Sequence, residues 1–188
     1  AIFHYTYKHL KFLKILKIEY FTISLLGLIG TMIMISANSL LMLYLGIELL
    51  SLSLYALIGF NKKSSLSSEA AIKYYVLGAM SSGILLFGIS LIYGFTGSIG
   101  YDDIASQLIN IDINSVDYIA IIFGIIFITA SLCFKFGAAP FHMWVPDIYQ
   151  GSLISTTILL STLPKIAVFI VFLKLYFIPF ILLREVWS

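Results

Sequence analysis

Residues 116–147 read VDYIAIIFGIIFITASLCFKFGAAPFHMWVPD. From Tyr118 the run is apolar, and the first charge it meets is Lys135. A spanning helix needs about 20 mostly apolar residues, and residues 116–139 supply them. Behind the lysine, the Gly-Ala-Ala step, Pro140 and Pro146 interrupt a helix. Irregular backbone survives at membrane depth only where protein covers it or where it lines a wet cavity. Lys135 is therefore either a snorkelling charge at the edge of a span or an ionisable group kept inside the bilayer for protons to pass.

The rest of the chain sets that lysine in a membrane. Of 188 residues, 61% are hydrophobic and 11% charged, with a mean hydropathy of +1.05. Soluble domains are about 45–50% apolar and about 25% charged, so water cannot solvate this surface. Five apolar runs, about 18–37, 39–60, 70–96, 116–139 and 152–183, predict an all-α integral membrane bundle of five transmembrane helices. None shows the two-residue alternation of barrel strands. Residues 1–17 precede the bundle as a basic amphipathic segment suited to a membrane surface, and 184–188 follow as a tail.

Composition also excludes chemistry. The formal net charge is +2 and no arginine-rich stripe exists, so nucleic acid is not a partner. Cys133 is the single cysteine, which rules out a disulfide framework or a paired-thiol metal site. No phosphate loop, dinucleotide fingerprint, haem-binding histidine pair or iron–sulfur cysteine set is present, so this chain is expected to hold no cofactor and no metal. No cleavable signal is visible, and the absent initiator Met points to processing or an incomplete chain. Isoleucine far outnumbers alanine, which suggests an AT-rich genome such as an organelle's.

Loop charges orient the bundle. Lys8, Lys11, Lys14 and Lys17 precede the first span, and Lys62 and Lys63 follow the second, so the two segments share a side. Asp102, Asp103, Asp112 and Asp117 lie in the loop before the fourth span without a Lys or Arg. The positive-inside bias places the N-terminus on the matrix or cytoplasmic side and the C-terminal REVWS opposite. Ser67 or Ser68 is expected to cap the third helix with Glu69 in its first turn, and Asp147 to cap the turn before the last. Gly78 with Ser82, and Ala79 with Gly83, are spaced for close helix packing.

Five further ionisable residues stand inside or beside the apolar runs. Glu48 is almost central in its span, where a charge costs on the order of 3 kcal/mol; it is either a protonated structural residue or held by a cation on another helix. Lys165 lies roughly 20 Å into the last span and follows Pro164, too deep for easy snorkelling. Lys73 sits four residues after Glu69, the favourable order for a helix pair. His142, beside Trp144, is either a proton relay or an interfacial residue. Lys174 falls nine residues beyond Lys165 and is expected to snorkel to the far interface.

Four ordered blocks, GIELLSLSLYALIGF, EAAIKYYVLGAMSSGILLFGISLIYGFTGS, KFGAAPFHMWVPDIYQGS and LPKIAVF, resemble the antiporter-like membrane subunits of respiratory complex I, and within them the chain-2 branch. The resemblance covers about residues 20–173. It implies one five-helix antiporter-like unit in which the helix bearing Lys135 is discontinuous near Lys135–Pro140, at mid-membrane. It implies that Glu48, Lys73, Lys135 and Lys165 line a proton path. It also implies NADH, FMN, iron–sulfur clusters and ubiquinone in other subunits, complex I membrane-arm subunits as partners beside membrane lipids, and the mitochondrial inner membrane, or else a bacterial plasma membrane, as location.

Family members usually carry two inverted five-helix units; this sequence holds one. A second polypeptide supplying the other half, or a unit that has lost half its path, would each explain that. Three functions follow: a proton-translocating subunit of NADH:ubiquinone oxidoreductase, a subunit of a cation/proton antiporter or membrane-bound hydrogenase, or a structural half-length subunit. In the first, Glu48 and a lysine about 4 Å apart would attract by roughly 4 kcal/mol at an effective dielectric of ~20, enough to switch the lysine's proton, with Glu48 expected to modulate Lys135 and Lys73 or Lys165 to pass protons on.

Overall fold

The computed structural model describes residues 2–13, 15, 17–109, 111 and 115–183. Lys14, Asp112 and the 184–188 tail lie outside the described residues. Among the described residues eight α-helices follow in order: α1 Ile2–Phe12, α2 Ile18–Ser36, α3 Leu40–Ile58, α4 Ser65–Thr96, α5 Tyr101–Leu108, α6 Val116–Phe136, α7 Val145–Gly151 and α8 Ile154–Phe177, closed by a 3-10 turn over Ile181–Leu183. Helices α2, α3, α4, α6 and α8 are long and apolar enough to cross a membrane. They are the five spans expected. Their outer faces carry Leu26, Met32, Leu52, Phe123 and Phe169, whereas serines and threonines such as Ser51, Ser81, Ser131 and Thr156 are buried. That inversion suits a bundle solvated by lipid, in which polar groups must find partners inside.

Hydroxyl caps set several helix starts. Ser39 accepts from the Met42 amide, Ser64 from Ser67 and Ser115 from Tyr118. The cap of α4 is thus Ser64, three to four residues earlier than the sequence suggested, because Ser64 has extended backbone and its hydroxyl accepts from the Ser67 amide. Ser67, one of the expected caps, instead donates back to the Ile58 carbonyl at the end of α3. Glu69 then falls in the second turn. The start of α8 has no side-chain cap, and Asp147 lies within α7 instead.

Close backbone approaches pair the helices. A Cβ on Gly30 would stand 2.6 Å from the Leu50 amide nitrogen, so α2 and α3 touch there. One on Gly88 would stand 2.7 Å from the Gly124 carbonyl oxygen, which brings α4 onto α6. Of the expected small-residue pairs, Gly78 and Ser82 face inward, but Ala79 and Gly83 face outward. Residues 101–108, read as loop, form α5 because Tyr101, Ile104 and Leu108 recur at helical spacing and bury one stripe. Asp102 and Asp103 stay exposed.

The two ends of the bundle are distinct. At one, Lys17 and Lys62 line the same surface cleft, so the basic segments share a side as expected; α1 packs on α8 there, with Leu10 buried. At the other, the α2–α3 connection pairs with the α4–α5 connection through Leu40 N to Ile99 O and Tyr101 N to Asn38 O. Lys174 donates to Asn38 Oδ1 at 2.9 Å and to the Ile35 carbonyl at 3.3 Å. Its amine thus caps the carbonyl end of α2.

Candidate functional site

Helix α6 ends inside the protein. Gly137 takes a left-handed backbone, φ 74°, and its amide donates to the Cys133 and Phe134 carbonyls while Ala138 N donates to Cys133 O. This is the Schellman closure, which glycine enters without a Cβ clash. Trp144, reaching back from the following turn, donates its indole N–H to the Phe134 carbonyl at 3.0 Å. The chain leaves the helix one residue beyond Lys135 and reforms as α7 at Val145, which gives the expected discontinuity a physical cause.

Lys135 is 5% exposed. It lies in the last turn of α6, where the partial negative charge of the helix C-terminus favours a cation. Its ammonium donates to Ser51 Oγ on α3 at 2.8 Å, and Ser51 in turn donates to the Ile47 carbonyl at 2.7 Å. Ser51 lies seven residues from the end of α3, ~10 Å along the axis. Lys135 is thus held among helices and does not snorkel. Beside it is an internal space of ≈ 10 Å³ bordered by Ser51, Tyr74, Pro164 and Val168, roughly the room one water molecule needs.

Glu48 stands one turn from Ser51 on the same helix. Its carboxylate acts electrostatically on Lys135, Tyr44 and Tyr55. Tyr44, Glu48, Ser51 and Tyr55 recur every three to four residues and form one polar stripe along α3. Glu48 Oε1 is buried without a hydrogen-bond partner among the described residues. No lysine stands within 4 Å of Glu48 among the described residues, where the ion pairs at that distance are both made by Lys73. Ser51 takes the bond instead.

Lys165 approaches the α6 terminus from α8. Its amine stands 5.1 Å from the Phe136 ring centre and 5.7 Å from that of Trp144, within the range of cation–π attraction. It is also packed against Gly137, where a Cβ would come within 2.8 Å of Nζ. Helix α8 continues unbroken through Pro164; the proline, which lacks an N–H for the Leu160 carbonyl, borders the space beside Lys135.

Lys73 lies further out on α4, half-exposed, at 2.9 Å from both Glu69 Oε1 and Asp147 Oδ2. Its neighbour Tyr74 is buried and stacks on Trp144 with ring centres 4.9 Å apart. Lys135 and Lys165 therefore converge around the α6 terminus with Glu48 acting on Lys135 from α3, while Lys73 lies further out and only its neighbour Tyr74 reaches Trp144. His142 is exposed in the turn between α6 and α7, apart from this set.

Several site residues were not singled out from the sequence. Ser51 carried a usable signal, the 44/48/51/55 stripe. Trp144 and Tyr74 carried none, because their contact depends on how the broken helix folds back. Ser81 and Ser131 form a buried hydroxyl pair at 2.9 Å across α4 and α6, one turn from Lys135.

Residues 37–187 match the family model described as NADH:quinone oxidoreductase/Mrp antiporter, TM. The chain is 51% identical over 157 residues to NADH-quinone oxidoreductase subunit N of Ruthia magnifica subsp. Calyptogena magnifica, covering 84% of this chain and 32% of that protein. It is 44% identical over 181 residues to the subunit N of Pelagibacter ubique, covering 96% and 37%. Its fold superimposes on a chain of respiratory complex I from Thermus thermophilus with bound aureothin at a TM-score of 0.72 and 31% identity, over 84% of this chain and 34% of that one. A chain of the Mrp complex from Dietzia, at 22% identity and a TM-score of 0.72 over 83% and 28%, shares the fold. The chain belongs to the NADH:quinone oxidoreductase/Mrp antiporter membrane family. It is a multi-pass membrane protein, and it spans about a third of the length of the relatives it matches.

Proposed function

We propose that this chain is a proton-translocating unit of the membrane arm of NADH:quinone oxidoreductase, moving protons through Glu48, Lys135 and Lys165 with Lys73 at the outer end. The observation that carries the reading is the buried Lys135 ammonium, bonded to neutral Ser51 with the carboxylate of Glu48 one turn away. A buried lysine in ion-pair contact would hold its proton tightly. One bonded to a hydroxyl, with a carboxylate near but not touching, has no counter-charge in contact to fix its proton. A shift of either helix that moved Glu48 relative to Lys135 would load or release the proton.

Redox chemistry then belongs elsewhere. NADH, FMN, iron–sulfur clusters and ubiquinone are assigned to other subunits, and this unit contributes no redox step. Its partners are the neighbouring membrane-arm subunits and a second polypeptide, or further chain, that completes the two-unit arrangement. The relatives named above are bacterial subunit N proteins; chain 2 of the mitochondrial enzyme is the finer assignment we favour, with the inner mitochondrial membrane as its location and the bacterial plasma membrane as the alternative. A cation/proton antiporter subunit is the second reading, supported by the shared Mrp fold.

The test is Lys135→Met and Glu48→Gln in the assembled complex, with protons moved per electron as the readout. Unchanged stoichiometry in both variants would leave only a structural subunit.

A further inference from the structure

Asp147 has no part in the path above, yet it ties α7 to another helix by charge. Lys73 Nζ stands between Asp147 Oδ2 and Glu69 Oε1, at the edge of a ≈ 100 Å³ cavity also bordered by Gln150 and Gly151. A seven-residue helix such as α7 cannot hold itself in shape or place, so its position is set by what it docks against. Three contacts dock it on α4. They are the Lys73–Asp147 pair, the Tyr74–Trp144 stack, and Gly151, where a Cβ would stand 2.7 Å from the Leu66 carbonyl oxygen. Leu66, Ala70, Lys73 and Tyr74 share one face of α4.

From its place just ahead of α7, Trp144 reaches inward. Its indole N–H holds the Phe134 carbonyl, and its ring faces the Lys165 amine. Whatever seats α7 therefore also sets the aromatic surface against which that amine rests. We propose that Asp147 is a positioning residue for Lys165: by pairing with Lys73 it seats α7 on α4, and the seated helix keeps Trp144 against both the α6 terminus and the Lys165 amine. This rests on the functional reading above in so far as Lys165 carries protons; the seating of α7 does not.

The assembled membrane complex carrying Asp147→Asn, Asp147→Glu, Trp144→Phe, Lys165→Met or the Asp147→Asn/Trp144→Phe pair tests this with two readouts. These are protons moved per electron and amide hydrogen exchange in peptides across 137–153. Asp147→Asn is expected to raise exchange in that segment severalfold while α3 peptides stay unchanged, and to lower pumping severalfold. Asp147→Glu restores both, and Asp147→Asn adds no pumping loss in the Trp144→Phe background, because the two act through one device. Unchanged exchange, additive losses or failure of the glutamate to restore would each overturn the assignment. If Asp147→Asn fails to assemble, Lys73→Gln breaks the same pair from α4, and flat exchange across 137–153 in it overturns the seating. Full pumping in Lys165→Met would overturn the functional reading instead, with the exchange pattern still deciding what seats α7.

Discussion

Lys135 donates its hydrogen bond to Ser51, 2.8 Å away, and not to Glu48 one turn along the same helix. The distinction has energetic consequences. A hydrogen bond to a charged group contributes roughly 1.5–3 kcal/mol, whereas a buried ion pair broken on one side costs roughly 3–5 kcal/mol. An amine held by a hydroxyl is the easier of the two to discharge.

Ser51→Ala should therefore weaken proton transfer without dismantling the bundle. The lost bond is worth on the order of 2 kcal/mol, and proton pumping is expected to fall well below that of Ser53→Ala. Ser53 is the control because its hydroxyl serves only its own helix, donating to the Leu49 carbonyl. Equal pumping in the two variants would show that the Ser51 bond is not used.

The α4–α6 contact makes a stability prediction. At Gly88 a new Cβ meets the Gly124 carbonyl oxygen at 2.7 Å and the Ile128 amide nitrogen at 3.0 Å, both backbone atoms that cannot turn aside. Gly88→Ala is expected to destabilise the protein by about 1–3 kcal/mol, seen as a lower thermal midpoint in detergent. Gly83→Ala, in open space, should be neutral or slightly stabilising. Reversal of that order would place the helices differently.

Legibility in the sequence followed the physics of each feature. The five spans were readable because apolar length alone decides them, and the break after Lys135 because Gly and Pro act locally. Helix ends were less so: α4 begins at Ser65 and not near residue 70, since its first turn is polar and the apolar run starts later. Helix α5 was missed because its stripe is three residues on a polar background. Glu48 and Lys135 were both singled out from the sequence, but which atom each touches depends on the phase of α3 against α6. No one-dimensional pattern records that phase.

Lys174 illustrates the same limit and gives a third prediction. Its depth set its height in the bundle but not its partners, Asn38 and the Ile35 carbonyl. Lys174→Met is expected to lower the thermal midpoint by freeing the α2–α3 connection while leaving protons moved per electron unchanged. A loss of stoichiometry without loss of stability would draw Lys174 into the path.

His142 stands exposed outside the converging residues. His142→Gln is accordingly expected to alter pumping far less than Lys135→Met, measured in the same membranes. A comparable loss would extend the path to the α6–α7 turn.

One measurement bears most directly on whether the buried Lys135 amine, with Glu48 near but not touching, carries protons: the proton-to-electron ratio of the assembled complex carrying Lys135→Met. A marked fall in that ratio, with assembly and electron transfer to quinone retained, is the expected result. An unaltered ratio in a fully assembled complex would contradict it, leaving Lys135 as a structural cation closing the end of α6.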